Sequence, residues 1–364
     1  MSKVILISQI PLPYSNIGSW TTLYHNYLSN DHLVDYIICA KPENTYPQIE
    51  YKIVSDTNWL KFQKRVLKNK YLGYFKALDS ILEKDEKFII QIVDNFGIVK
   101  PLIKFLEKTG KIDKCYFQFF YHGFAPFYEN FHGRWFFEGI DEMVLLTKDS
   151  YKAHKEYYTI LPTKFSVLHN GIDISKFHKV SFEEKENLRK QLGFTNKKVF
   201  IWCSQDRPKK GLDFILDVWK RIDKKENDAI LLVIGAKRDI KIDGVFFLGR
   251  IANNDLPKYY QIADCYLFPT LWQEGFGLSL IEALHCGCYC IASENGGVPE
   301  VLQYGKYGKL IENPNFIEEW CDAINSFLVG NETNYINIPE TLYSMENWND
   351  GMNAIINNAK KNLI

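Results

Sequence analysis

Short apolar runs, each followed by a stretch of helical periodicity, recur along the chain. Val4–Ser8, Val34–Cys39, Phe88–Val93, Cys115–Tyr121 and Glu142–Thr147 read as buried strands of a first half. Phe165–Leu168, Val199–Cys203, Ala229–Ile234, Val245–Leu248, Cys265–Phe268 and Tyr289–Ala292 read as strands of a second. Amphipathic stretches such as Leu212–Arg221, Leu256–Ile262 and Leu278–Cys286 lie between them. Strands alternating with helices predict parallel sheets built from βαβ units. The expected architecture is α/β, with two Rossmann-like domains across a deep cleft, placed at residues 1–165 and 166–345. Asn170-Gly171 is the turn signal in their connection. Turn residues follow several strands, as in Asp94-Asn-Phe-Gly97 and His122-Gly123. In open α/β sheets ligands bind beyond those carboxyl ends.

With 364 residues the chain is long enough for two cores, and 44 Lys+Arg balance 44 Asp+Glu. A dedicated nucleic-acid binder would carry a basic excess, so that class is set aside. No apolar run reaches the roughly 20 residues of a membrane-spanning helix. The start of the chain reads as a first strand rather than a signal peptide, which predicts a cytoplasmic protein. The eight cysteines contain no Cys-x-x-Cys pair. Cys286, Cys288 and Cys290 beside His285 invite a zinc reading, but the turn at Gly287 and the strand after it would scatter their side chains. Buried free thiols are the expectation, with no metal and no cofactor.

The most informative stretch is Phe268-Pro-Thr-Leu-Trp-Gln-Glu-Gly-Phe-Gly-Leu-Ser-Leu-Ile-Glu-Ala-Leu284. A strand ends, a loop carries Glu274 and Gly277, and a helix starts near Leu278. Unpaired N–H groups at such a helix start suit a phosphate, and Gly275 and Gly277 admit it closely. Glu274 and Glu282 offer carboxylates to sugar hydroxyls. The loop Ser204-Gln-Asp-Arg-Pro-Lys-Lys-Gly211 is a basic strand-to-helix turn whose cations would suit an anion.

These features together resemble the family 4 glycosyltransferases, retaining enzymes of the GT-B fold that use nucleotide-sugar donors. Leu168-His-Asn-Gly-Ile-Asp-Ile-Ser-Lys-Phe177 resembles the family's interdomain segment, and Val245–Ile251 with Leu256–Asp264 its nucleotide-base region. Glu274-x7-Glu282 and Glu294-Asn-Gly-Gly-Val-Pro-Glu300 follow in order. The resemblance implies that Glu274 binds the donor sugar and Glu282 the ribose. The amides of Phe276, Gly277 and Leu278 would hold sugar and distal phosphate, and Ile251 the base, with Arg250 beside it. Lys210 matches the family's lysine. Ser204 stands where the family has an arginine, so Arg207 or Lys209 would supply that charge. Gly18-Ser19 resembles the first loop, which closes on the diphosphate, and His122 the histidine near the anomeric carbon. The helix 346–364 would cross back onto the first domain.

The implied reaction transfers a hexose or derivative from a UDP- or GDP-linked donor to a glycan or lipid-linked saccharide, with bacterial surface polysaccharide as the setting. Retention in the family is explained by front-face attack, with the leaving phosphate as base and no metal required. The alternatives are another GT-B activity, such as a nucleotide-sugar epimerase, or a non-catalytic sugar-nucleotide-binding scaffold. Lys61, Lys64, Arg65 and Lys68 share one face of a helix-like segment whose other face holds Trp59, Phe62 and Val66. Such a helix fits either an anionic membrane surface at the inner face of the membrane or packing on its own domain. The aromatic run Tyr116–Phe137 would supply core and, on the acceptor side, could also receive a sugar ring or lipid.

Overall fold

The computed structural model describes every residue except 1, 15–18, 55–64, 66–68, 83–85, 126–133, 159–160, 223–227, 331–336 and 364. The chain forms two compact units, Met1–Asn170 together with Met345–Ile364, and Gly171–Ser344. Each is built on one parallel sheet.

The first sheet has seven strands: β1 (Lys3–Ile7), β2 (Tyr36–Cys39), β3 (Glu50–Ile53), β4 (Phe88–Val93), β5 (Cys115–Tyr121), β6 (Glu142–Leu145) and β7 (Lys164–Val167). Their order is β3-β2-β1-β4-β5-β6-β7. Every residue of β4 and β5 is buried, because helices cover both faces. One face packs Phe75 and Leu78 of helix Leu72–Ile81 and Ile98, Leu102 and Leu106 of helix Phe96–Thr109. The other packs Leu23, Tyr24 and Tyr27 of helix Ser19–Leu28 with Trp348, Met352, Ile355, Ile356 and Ala359 of the last helix, Met345–Asn362. Those last five recur at helical spacing, and the Trp348 ring meets Tyr24 and Tyr27 edge-on at 5.7 and 5.8 Å. Buried Gln118 donates to the Ile355 carbonyl at 3.4 Å and to Glu142 at 2.9 Å. A satisfied polar thread of this kind fixes how the helix lies on the strands.

The second sheet has six strands: β8 (Lys198–Cys203), β9 (Ala229–Ile234), β10 (Val245–Gly249), β11 (Cys265–Phe268), β12 (Tyr289–Ser293) and β13 (Lys309–Ile311). The order is β10-β9-β8-β11-β12-β13. Its core gathers Phe200, Trp202, Trp219 and Trp320 around Leu231 and Leu267. Leu212, Ile215, Leu216 and Trp219 put one stripe of helix Leu212–Arg221 into that core.

Two expectations are corrected. The strand Lys164–Val167 belongs to the first sheet, where Phe165 lies opposite Met143, and not to the second half. The division therefore falls after Asn170, and again before Met345. Strands β3 and β13 escaped sequence reading because Glu50-Tyr-Lys-Ile53 is half polar at an outer position and Lys309-Leu-Ile311 is only three residues long. Lys61, Lys64 and Lys68, with Trp59, Phe62 and Val66, lie outside the described residues; Arg65 is helical and exposed. Among the described residues no helix is long and apolar enough to cross a membrane.

Candidate functional site

In the second unit the strand order reverses between β8 and β11, the switch point where the loops leaving the carboxyl ends diverge and open a crevice. The loop after β8 carries Arg207, Lys209 and Lys210; the loop after β11 carries Glu274. Two backbone features hold these loops together. The Leu271 N–H donates to the Lys209 carbonyl at 2.9 Å. Gly211, at φ +71°, lies so close to Pro269 that a Cβ would sit 1.9 Å from its carbonyl oxygen. The result is an ion pair across the switch point, Lys210 Nζ to Glu274 Oε2 at 2.5 Å, with both side chains 22% exposed.

A third loop supports the second. After β12, the Gly297 N–H donates to the Glu274 carbonyl at 2.8 Å, and Asn295 Nδ2 to the Thr270 carbonyl at 3.1 Å. Gly296, at φ +65°, presses on Glu274 so tightly that a Cβ would meet its nitrogen at 2.5 Å. Glu294-Asn-Gly-Gly297 thus works as a buttress that sets where Glu274 stands. Arg207 and Lys209 are exposed. Among the described residues neither has an ion-pair partner, so both are available to an anion.

Helix Leu278–His285 starts at Gly277, which is left-handed at φ +89° and offers no side-chain cap, so first-turn N–H groups remain for an acceptor. Phe276 anchors this start from below: its ring is buried and meets Tyr343 edge-on at 5.2 Å. Leu278 is the first helical residue. One turn further, Glu282 has a largely desolvated carboxyl 3.4 Å from the Tyr260 hydroxyl. Burial pushes it up to about 7, against the opposing effects of the Lys176 charge and the Tyr260 bond. Tyr266 packs beside it, its hydroxyl 2.8 Å from Ser279 Oγ and 3.2 Å from the Cys203 carbonyl oxygen. Lys176 also reaches Asn254 Oδ1 at 3.2 Å, which ties it to the turn after Arg250 and Ile251. Arg250 is exposed and Ile251 half-buried, just past the outer strand β10.

Cys286, Cys288 and Cys290 are buried free thiols. Cys288 Sγ turns to the Tyr260 carbonyl at 3.1 Å, and burial pushes its thiol up to about 12. Among the described residues no three His, Cys, Asp or Glu side chains converge to hold a metal ion.

The first unit has its own switch point, between β1 and β4. Ser19 opens helix Ser19–Leu28 beyond β1, whereas Gly18 lies outside the described residues. His122 follows β5 and is clasped by Asp94, the residue after β4. The His122 N–H donates to Asp94 Oδ1 at 2.8 Å, and His122 Nδ1 lies 3.1 Å from Asp94 Oδ2. Asp94 itself is left-handed at φ +49°. This clasp holds the ring through Nδ1 and leaves Nε2 outside the contact. Asp94 escaped sequence reading as a partner; the only signal was an Asp at a strand end, a position tolerant of left-handed backbone.

Residues 184–336, which carry every loop described above in the second unit, match the family model of glycosyl transferases group 1. The matched segment covers less than half of the chain. Its curated relatives point the same way. A Corynebacterium glutamicum GDP-mannose-dependent monoacylated alpha-(1-6)-phosphatidylinositol monomannoside mannosyltransferase is 30% identical over 180 residues, 45% of this chain and 47% of the relative. The N-acetyl-alpha-D-glucosaminyl L-malate synthase of Bacillus anthracis is 29% identical over 188 residues, 48% of each chain. The chain spans about half the length of the curated relatives it matches. Outside residues 184–336 the likeness is one of fold. Anabaena HepE, solved with UDP and glucose, superposes over 98% of this chain and 99% of its own, with TM-score 0.70 at 15% identity. Sucrose-phosphate synthase from Thermosynechococcus elongatus covers the same shares with TM-score 0.67 at 15% identity. The fold is GT-B.

Proposed function

We propose that the protein transfers a sugar from a nucleoside diphosphate sugar to a hydroxyl of a glycan or lipid-linked saccharide, with retention at the anomeric carbon. The observation that carries this reading is the Lys210–Glu274 pair across the β8/β11 switch point, flanked by exposed Arg207 and Lys209 and by the open helix start at Gly277. A cation, a carboxylate and free N–H groups at one crevice match the three parts of such a donor: diphosphate, sugar hydroxyls and distal phosphate oxygens. On binding, the diphosphate replaces Glu274 as the partner of Lys210, and Glu274 turns to the sugar hydroxyls. The cations then stabilise the charge that grows on the leaving diphosphate. On this reading Glu282 is assigned to the ribose and Ile251 to the base, with Arg250 beside it.

Retention by double displacement needs two carboxylates flanking the bond. Here Glu274 is committed to the sugar hydroxyls and Glu282 sits a helical turn deeper. The reading is therefore front-face attack, in which the departing phosphate oxygen takes the acceptor proton. His122, oriented by Asp94, is assigned to the donor sugar near its anomeric carbon, and Ser19 to the loop over the diphosphate. Arg207 or Lys209 supplies the charge that Ser204 does not, and the transfer runs without added divalent cation.

The test is a screen of UDP- and GDP-sugars for thermal stabilisation, followed by transfer to saccharide acceptors in chelator. The expected result is stabilisation by one donor class and transfer that Lys210→Met abolishes. A chain that no nucleotide sugar stabilises and that transfers none of them refutes the reading; one that interconverts the donor sugar without acceptor is an epimerase.

A further inference from the structure

The loop after β8 carries three cations, Arg207, Lys209 and Lys210, but also Asp206, and Asp213 follows in the first turn of helix Leu212–Arg221. An anion-binding loop with its own acids on either side of the cations is electrostatically self-cancelling unless something occupies those acids. Arg238, in the loop after β9, does so. Its Nε donates to Asp206 Oδ2 at 2.9 Å and its Nη2 to Asp206 Oδ1 at 2.6 Å, a planar two-point fork. Its Nη1 donates to Asp213 Oδ1. Arg238 thereby holds the Asp206 carboxyl below its usual range, and both acids keep the guanidinium charged. With Asp206 and Asp213 occupied and Lys210 on Glu274, Arg207 and Lys209 are left over.

We propose that Arg238 is a positioning residue for diphosphate binding: by occupying both Asp206 and Asp213 it keeps Arg207 and Lys209 free for the donor's phosphates. Without it, Asp206 turns to the neighbouring cations of its own loop and quenches them. The guanidinium suits this role because one rigid fork serves two carboxylates, which an ammonium does less well. The network is partly exposed, with side-chain exposures of 24% for Arg238, 33% for Asp206 and 71% for Asp213. Its contribution to stability is accordingly small, and the effect falls on the anion site.

The inference rests on the donor-site reading and is tested on the full chain with UDP and GDP as probes. Affinity is measured by titration calorimetry and folding by melting temperature. For the better of the two nucleotides, Arg238→Met weakens binding by about 5-fold, the scale of one or two unit charges uncovered near the surface, with little change in melting. Adding Asp206→Asn and Asp213→Asn to that variant restores affinity, and Arg238→Lys retains part of it. Unchanged affinity in Arg238→Met overturns the proposal. So does a triple variant as weak as the single one, because the arginine would then be a mechanical brace. Should Arg238→Met fail to fold, the Asp206→Asn/Asp213→Asn variant decides, since affinity at or above wild type supports masking and weaker affinity overturns it. A wild type that binds neither nucleotide refutes the donor site itself, a failure distinct from the others.

Discussion

Replacing Glu282 by glutamine should alter how the stability of the second unit depends on pH. The carboxyl sits on helix Leu278–His285 with the Tyr260 hydroxyl 3.4 Å away. Among the described residues the groups packed around it are Tyr260, Tyr266, Cys203 and Cys286, all weak acids, and the cation acting on it is Lys176. Burial raises it from 4.5 to about 7. An acid raised on folding favours the folded state fully below its unfolded value and loses that advantage as pH rises through its folded value. The window is therefore pH 4.5 to 7. A shift of that size, at about 1.4 kcal/mol per unit, corresponds to about 3 kcal/mol at most. Glutamine keeps the shape and carries no charge to desolvate. Relative to Glu282→Gln, the wild type should lose stability from pH 5 to pH 8, by about 6–12 °C in melting temperature for a unit of this size. Melting curves of both proteins at half-unit pH steps measure it, and taking their difference cancels the other titrating groups. A difference that stays flat from pH 5 to 8 refutes the claim that this carboxyl is desolvated.

The other predictions concern the loops. Glu274→Gln releases Lys210, so UDP or GDP should bind a few-fold tighter in calorimetry while sugar transfer falls by about 100-fold or more; parallel losses in both would contradict the exchange of partners at Lys210. Gly211→Ala forces a Cβ against the Pro269 carbonyl at a left-handed position. Urea unfolding should show a loss of more than about 2 kcal/mol, and an unchanged midpoint would mean that the two loops are not in contact. Asp94→Ala unclasps His122 and should lower kcat by about 10-fold with little change in melting temperature; unaltered turnover would remove His122 from the donor end of the site.

Much of this was legible before folding. The apolar runs that became β4, β5, β9 and β11 are continuous because both faces of a parallel sheet are covered, and that signal is local. Glu274, Gly277, Glu282 and Lys210 could be singled out because strand end, glycine and helix start follow one another within a few residues. The sequence pattern alone puts strand β7 in the wrong half, because its four residues carry the pattern of a strand but no label for its partner. Pairing with β6 is a contact between segments about twenty residues apart.

Alternation of strand and helix, two sheets and the chemistry of the β8 and β11 loops were thus determined by the sequence alone, since each depends on neighbours along the chain. Tertiary structure decided which carboxylates those cations meet. Lys210 finds Glu274 because β8 and β11 lie side by side at the point where strand order reverses, and Asp206 and Asp213 are taken by an arginine arriving from β9. It also decided that Glu282 is a largely buried, weak acid and that His122 is held by Asp94. Charge and desolvation depend on what lies within a few ångströms in space, and in a parallel sheet those neighbours come from distant parts of the chain.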